Sequence, residues 1–496
     1  MPPCPILVIA GTQSSSGKTS LTLAMTRALT RRGLRVQTFK AGPDFLDPTY
    51  LSLASGRPCY NLDGWMTGQD HVRSVFNRAV KDTDVALVEG VMGLFDGADA
   101  ATDEGSTAEI ARWLDAPVLL VANVHGMGRS IAALVKGFTG FAADLRFAGV
   151  VGNHCGSASH AALLADSLRA AGLPPLIGAI PRGAFPELAS RHLGLVTADQ
   201  GQLPEALLDA FANALESHLP LETLFSELHA TTGIPTGSPR PEEKRRKAAG
   251  IPAEIPAGHP SQRTSLRELK GRVGIAGLVS APPRLKIGVA RDAAFHFYYH
   301  DLFDALAAAG CETLFFSPLT DRRLPEGISG LYIGGGYPEA HAETLAANEG
   351  MLAAIRAYAA TGRPLYAECG GLMYLSQGLV AGESFSPFLG ILPARTRMLA
   401  GKKALGYVEI TLTADSLWGH CGEVFRGHEF HYSELIDDPT EDTAWRAVYA
   451  LRRRRSGTLE AEGFQKGAIL ASYTHLAYAS HPAAIEHFLH QCGGTP

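Results

Sequence analysis

A chain of 496 residues with 46% hydrophobic and 19% charged side chains is too long for a single core and is composed like a globular protein of two or three domains. No run reaches the roughly eighteen apolar residues of a membrane span, and a formal net charge of -5 leaves no electrostatic footprint for nucleic acid. Seven cysteines, an odd number without a C-x-x-C pair, argue against a disulfide framework or a zinc site, so a reducing, cytoplasmic setting is expected.

The first residues carry no basic leader, and the apolar run from Pro5 to Ile9 reads as a core strand rather than a signal peptide. It leads into Ala10-Gly11-Thr12-Gln13-Ser14-Ser15-Ser16-Gly17-Lys18-Thr19, a turn of small residues that opens a helix. Strand, small-residue turn and Gly-Lys-Thr make a phosphate-binding loop, in which backbone N–H groups and the helix N-terminus hold an anion. Thr12, Ser16 and Gly17 would then line the phosphates of ATP, Lys18 would reach the outer ones, and the Thr19 hydroxyl would face Mg²⁺. The loop is a variant, because the first glycine of the usual G-x-x-x-x-G-K-[ST] pattern falls on Thr12, with Gly11 one place early.

Leu21, Ala24, Met25, Ala28 and Leu29 recur at helical spacing, and Gly33 stands at the C-cap position. Strands are predicted at 35–40, 85–88, 117–122, 147–151 and 176–180, with helical segments between several of them and a closing helix over 203–215. That alternation predicts a doubly wound parallel sheet in a domain spanning residues 1–230. From 231 to 283 the texture turns to Pro, Gly and charge and reads as a flexible linker, with a short helix allowed over 266–273. A second domain, 284–496, begins α/β with strands at 285–290, 312–317, 330–333 and 364–368 and a helix over 301–309. Its second half, with runs at 406–411, 424–432, 445–451 and 468–473, reads as strands joined by turns. The fold class is therefore α/β, with two doubly wound domains.

Doubly wound sheets bind ligands beyond the carboxyl ends of their strands, and two acidic motifs fall there. Lys40-Ala41-Gly42-Pro43-Asp44-Phe45-Leu46-Asp47-Pro48 is a fixed loop whose carboxylates can hold magnesium or a polar substrate; an Asp/Pro turn is the plain alternative. In Val88-Glu89-Gly90-Val91-Met92-Gly93-Leu94-Phe95-Asp96-Gly97, Glu89 ends a buried strand where nucleotide-binding sheets place a metal carboxylate. Asn153 is placed to read a base, or else forms a turn.

In the second domain, Pro364-Leu365-Tyr366-Ala367-Glu368-Cys369-Gly370-Gly371 turns sharply from strand to helix. Such an elbow exposes its central side chain as a nucleophile and aims the following N–H, here that of Gly370, at an oxyanion. Gly334-Gly335-Gly336-Tyr337-Pro338 fits a turn supplying further oxyanion donors from Gly335 and Gly336. Among eighteen histidines, His475 ends the last strand and is a candidate base. His428 and His431, three apart on a strand, face opposite sides and are read as structural or substrate-facing rather than as a metal pair. The aromatic run Phe295, Phe297, Tyr298, Tyr299 reads as core. The basic run Arg452–Arg455 reads as a solvated loop or hairpin tip.

The variant loop together with GPDFLDP and VEGVMGLFDG resembles the cobyrinic and hydrogenobyrinic acid a,c-diamide synthase family, whose N-terminal half is similar to dethiobiotin synthetase. The resemblance covers nearly the whole chain apart from the linker. It implies a ligase that uses ATP, Mg²⁺ and glutamine to amidate side-chain carboxylates of a corrinoid in cobalamin biosynthesis. It puts Asp44, Phe45, Leu46, Asp47 and Asp96 at the substrate and Thr19, Asp44 and Glu89 at the metal, with Phe45 standing where members commonly carry Tyr. The second domain resembles class I, triad-type glutamine amidotransferases, which selects Cys369 with His475. The Glu usually found two residues after the histidine is replaced by Ala477, so a third group has to come from elsewhere. Other readings are amidation of another tetrapyrrole such as nickel sirohydrochlorin, and a nucleotide switch of the partitioning-ATPase kind carrying an inactive amidotransferase module. Expected partners are a corrinoid acid and L-glutamine, with no nucleic acid and no membrane, and a homodimer is allowed.

Overall fold

The computed structural model describes residues 4–187, 190–191, 194–195, 204–222, 224–225, 285–401 and 403–493. The linker and short helix read at 231–283 lie outside the described residues.

The first sheet has seven strands, β1 (Ile6–Gly11), β2 (Val36–Ala41), β3 (Tyr60–Leu62), β4 (Val85–Glu89), β5 (Val118–Asn123), β6 (Phe147–Cys155) and β7 (Leu176–Pro181). They lie in the order β3-β2-β4-β1-β5-β6-β7 and every pairing is parallel. A sheet covered on both faces needs strands that are apolar throughout, and β1 is buried along its whole length. Alternation sends Ile6, Val8 and Ala10 to one core, under helices 64–79, 107–113, 130–141 and 158–170. Leu7 and Ile9 face the other, where α1 (Lys18–Arg31) and helix Glu205–Glu216 pack side by side. Because β1 is central, the loop that follows it opens at the middle of the carboxyl edge.

The second domain is built on a ten-stranded sheet. Strands 312–316, 286–290, 330–333, 365–368 and 469–472 run parallel in that spatial order; 459–466, 446–453, 404–412, 424–431 and 475–476 continue it antiparallel. The chain leaves strand 469–472, turns, and pairs His475–Leu476 with the far strand 424–431. The sheet thus curls until its last strand stands beside the tip of strand 365–368.

The carboxyl ends of the two sheets face each other. The guanidinium groups of Arg426 and Arg454 lie 4.9 and 5.4 Å from the ring of Trp65, which is 4.6 Å from Tyr407. Tyr407 donates to Asp63 (2.8 Å), Arg426 to the Trp65 carbonyl (2.7 Å), and His71 pairs with Asp301 (2.8 Å). The basic run expected to be solvated is a hairpin tip, but Arg454 crosses the boundary to Glu104, and Arg453 pairs with Glu429 and Glu460. Of the aromatic run, Phe295 is core, whereas Phe297 and Tyr299 reach the boundary. No helix among the described residues is long and apolar enough to cross a membrane.

Trp65→Ala removes the anchor of this boundary, a truncation of the kind that costs about 3–5 kcal/mol in a core. Calorimetry should then resolve separate unfolding of the two halves at lower temperature; an unchanged transition would show that the anchor does not hold them.

Candidate active sites

The loop after β1 ends at Gly17, which takes a left-handed φ of 99° and precedes the first turn of α1. A side chain there would run into Asn153, whose amide donates to the Ser16 carbonyl (3.0 Å) and accepts from His154 N–H (3.0 Å). Asn153, read as a base contact or a turn residue, therefore braces the loop from β6. Thr12 N–H is tied to Val121 O (3.0 Å), which holds the entry of the loop against β5. Lys18 is buried, and its ammonium lies on the carbonyls of Met92 and Gln13. Burial pulls Lys18 down from the ordinary lysine range, and Lys40 adds to the effect.

Beside it lies a group that the sequence reading only half describes. Lys40 ends β2, in register with Glu89 on β4, and its buried ammonium bonds Asp47 (2.5 Å), Glu89 (2.9 Å) and the Gly90 carbonyl (3.2 Å), with Asp44 at 3.8 Å. Thr19 Oγ1 donates to Glu89 Oε1 (2.7 Å) and more weakly to Asp47 (3.4 Å). Thr19, Asp44, Asp47 and Glu89 thus come together, but around a lysine. Burial pushes Asp44 to about 7, helped by Asp47, and burial pushes Glu89 to about 7 against the pull of Lys40. Asp47 is also buried, yet Lys40 outweighs that and holds it below the ordinary carboxylate range. No set of three or more His, Cys, Asp or Glu among the described residues is arranged to hold a metal. The oxygens still fit Mg²⁺ with a nucleotide, because such a site takes one or two protein oxygens plus phosphates and water. Glu89 Oε2 is buried without a hydrogen-bond partner, and the Thr19 hydroxyl is adjacent.

Asp44 accepts from the N–H groups of Leu46 (2.8 Å) and Asp47 (3.3 Å), closing the turn that begins helix Asp47–Ser55. Phe45, at the tip of that turn, stacks on Phe297 across the boundary (5.0 Å, 8° between planes) and lies 4.9 Å from the ring of His475. Its ring therefore sits at the second domain's site rather than in the carboxylate group. Asp96 accepts from Gly93 N–H (2.8 Å), and its charge reaches Lys18.

At the elbow, Cys369 has φ 51° and ψ -103°, a strained conformation for a side chain with a Cβ, and its N–H is held by Ser472 O (2.7 Å). Gly371 is required there: a Cβ would lie 2.0 Å from the Ile333 carbonyl. A Cβ on Gly370 would lie 3.1 Å from the N of Gly336, so the two turns converge at Cys369, and one on Gly335 would strike His475. His475 lies within electrostatic reach of Cys369, and its Nδ1 is 2.7 Å from Glu368 Oε1. Burial opposes charge on the imidazole, but Cys369 and Glu368 prevail and raise it to about 10.

The carboxylate on His475 is therefore that of Glu368, directly before Cys369. Its other oxygen accepts from Tyr366 OH (3.0 Å) and Leu476 N–H (3.3 Å). Strand alternation aims Tyr366 and Glu368 at one face, and the kink at Cys369 brings the thiol to the same imidazole. His428 pairs with His475 across the strands, stacks on it at 4.9 Å, and holds Tyr299 OH at 3.1 Å. Burial, with His475 beside it, keeps His428 well below the ordinary histidine range. His431 stacks on Tyr473 instead, so the two histidines do separate.

A nucleotide-binding sheet facing a sheet with a cysteine elbow defines a class, the glutamine-dependent ligases made of a P-loop domain and an amidotransferase domain. Residues 7–196 match the CobQ/CobB/MinD/ParA nucleotide binding domain, and residues 286–483 match the CobB/CobQ-like glutamine amidotransferase domain. The cobyrinate a,c-diamide synthase of Syntrophotalea carbinolica is 49% identical over 99% of both chains. That of Leptospira interrogans is 42% identical over 98% of both, and the hydrogenobyrinate a,c-diamide synthase of Pseudomonas aeruginosa is 41% identical over 97% of this chain and 96% of its own. The chain belongs to the cobyrinate and hydrogenobyrinate a,c-diamide synthase family.

Removing Lys40 leaves buried carboxylates without a counter-ion, so Lys40→Met should cost roughly 3–5 kcal/mol in denaturant unfolding at neutral pH. Without the ammonium those carboxyls titrate higher in the folded than in the unfolded state. The folded state then binds more protons, and the loss should be larger at pH 8 than at pH 5. Glu368→Gln keeps the shape but removes the charge that orients His475, and should lower the kcat of glutamine hydrolysis by about 10²-fold or more. Hydrolysis at the wild-type rate would exclude Glu368 from the relay.

Proposed function

We propose that the chain converts cobyrinate, or its metal-free counterpart hydrogenobyrinate, to the a,c-diamide in two rounds, each consuming one ATP and one glutamine. The observation that carries this reading is the Cys369–His475–Glu368 relay opening onto the carboxylate loop of a phosphate-binding domain. The family relationship supports the same substrates, and a cytoplasmic setting suits seven free cysteines.

Glutamine is cleaved at the elbow. Cys369 thiolate attacks the side-chain amide carbon, and N–H groups at Gly336 and Gly370, with Gly335 shaping their turn, stabilise the oxyanion. The C–N bond breaks as His475 gives its proton to the leaving nitrogen. Water, deprotonated at His475, then cleaves the thioester to glutamate. Glu368 holds the imidazole in the orientation that serves both steps.

In the first domain the difficulty is a poor leaving group on a carboxylate. Transfer of the γ-phosphoryl from ATP to the substrate carboxylate gives an acyl phosphate and ADP; ammonia attacks the acyl carbon and phosphate departs. Thr12, Ser16, Gly17 and Lys18 hold the phosphates, with Lys18 exchanging the Met92 carbonyl for them. Thr19 and Glu89, with Asp44 nearby, are the oxygens for Mg²⁺, which when bound neutralises phosphate charge. Lys40 and Asp96 border the space where the substrate carboxylate meets that phosphate, and the Asp44–Asp47 turn with Leu46 forms its wall.

Cys369→Ala should abolish glutamine-dependent amidation and keep most of the ammonium-dependent reaction, whereas Lys18→Ala should lose both, by about 10²-fold or more. Mass spectrometry of the corrinoid product with ATP and either nitrogen source reads both. Loss of the ammonium reaction in Cys369→Ala would sink the division of labour, and glutamine hydrolysis by the wild type disposes of a nucleotide switch with an inactive module.

A further inference from the structure

The turn that carries Asp44 and Asp47 also carries a side chain into the other active site. Phe45 lies flat on Phe297, is 4.7 Å from Tyr299 and 5.5 Å from His428, and touches the ring of His475. Phe297 is no passive neighbour, because its N–H and that of His296 both donate to the Gly335 carbonyl (3.0 Å each), fixing the turn beside the nucleophile. Tyr337 of that turn packs against Phe297 at 5.1 Å and lies within electrostatic reach of both Asp44 and Cys369. A small cavity inside the second domain, lined there by residues such as Phe297, Tyr299, Glu368 and Leu476, takes its one lining residue from the first domain in Phe45. The phenyl ring of Phe45 therefore stands between the place where ammonia is released and the loop where it is consumed.

The other side of the turn is anchored by polar contacts that a ligand would contest. Asp44 spends one oxygen on the N–H groups of Leu46 and Asp47; Asp47 is held by Lys40; the Asn61 amide holds the carbonyls of Gly42 (2.9 Å) and Asp44 (2.7 Å). A substrate carboxylate paired with Lys40, or a cation drawn to Asp44, changes these bonds and with them the seat of Phe45. A single ring stack is a modest interaction that such a change can reverse.

We propose that Phe45 is the positioning residue that couples the two sites: seated on Phe297 and His475 it restrains glutamine cleavage and bars ammonia, and loading of the carboxylate loop withdraws it. The proposal rests on the amidation reading above. Coupling of this kind keeps ammonia from being made before an acyl phosphate is ready, and away from water that would protonate it.

The test measures glutamate and corrinoid amide in parallel, with and without ATP and cobyrinate, for the wild type, Phe45→Ala, Phe45→Tyr and Phe297→Ala. In the wild type, glutamine hydrolysis should depend on ATP and cobyrinate and yield close to one glutamate per amide. Phe45→Ala should hydrolyse glutamine without them and raise glutamate per amide by about tenfold. Phe45→Tyr, which keeps the ring, should remain coupled. Phe297→Ala should uncouple from the opposite side, and it decides the matter if Phe45→Ala does not fold. A purely structural role would lower both products together without changing their ratio, and that result overturns the proposal, as does a Phe45→Ala enzyme that still needs ATP and cobyrinate. A wild type that forms amide from neither glutamine nor ammonium would remove the amidation reading itself, and this proposal with it.

Discussion

The hydrogen bond from His475 to Glu368 sets the terms for the second domain. An imidazole and a carboxylate buried side by side are costly unless each satisfies the other, and here the partners come from strand ends remote in sequence. Bringing them together requires the sheet to curl, so that strand 475–476 stands beside the tip of strand 365–368 while pairing with 424–431. The pairing of His428 with His475 and the packing of Leu476 follow from that closure. So does the exposure of one edge of His475 toward the boundary, where Phe45 meets it.

The first domain solves a similar electrostatic problem with a different device. Asp44, Asp47 and Glu89 gather where a parallel sheet leaves its loops, and Lys40 keeps them from repelling one another apart. Without a cation at that point, close carboxylates would protonate or separate. A lysine at the end of β2 thus keeps the three acids assembled.

Much of this could be read from the sequence, for identifiable reasons. Strands buried on both faces are continuous apolar runs, so β1, β4 and β5 and strands 286–290, 330–333 and 365–368 stand out within a residue or two. The short edge strand β3 (Tyr60–Leu62), the Glu-containing strand Leu459–Lys466 and the small four-stranded sheet formed by 378–381, 384–387, 395–398 and 433–435 have no such run and escape the pattern. Cys369 is legible because an elbow needs glycines in fixed places. Glu368 is not, because the familiar place for the acid is two residues after the histidine, where Ala477 instead packs against Trp65 and Met66. Lys40 carries no such signal, since nothing local reveals that two acids of one loop and one from a neighbouring strand end converge on it. Phe45 belongs to both domains at once, which only the assembled chain displays.

The contacts that join the halves, from Trp65 with Arg426 and Arg454 to His71 with Asp301, are made by side chains outside the stretch that connects the domains covalently. Alignment of the two active sites is therefore a property of complementary surfaces rather than of chain continuity. The covalent connection sets the effective concentration at which the halves meet, and the contacts on Trp65 set the angle at which they lock. By that logic the same pair of sites could be encoded as two polypeptides with little change to the surface that joins them.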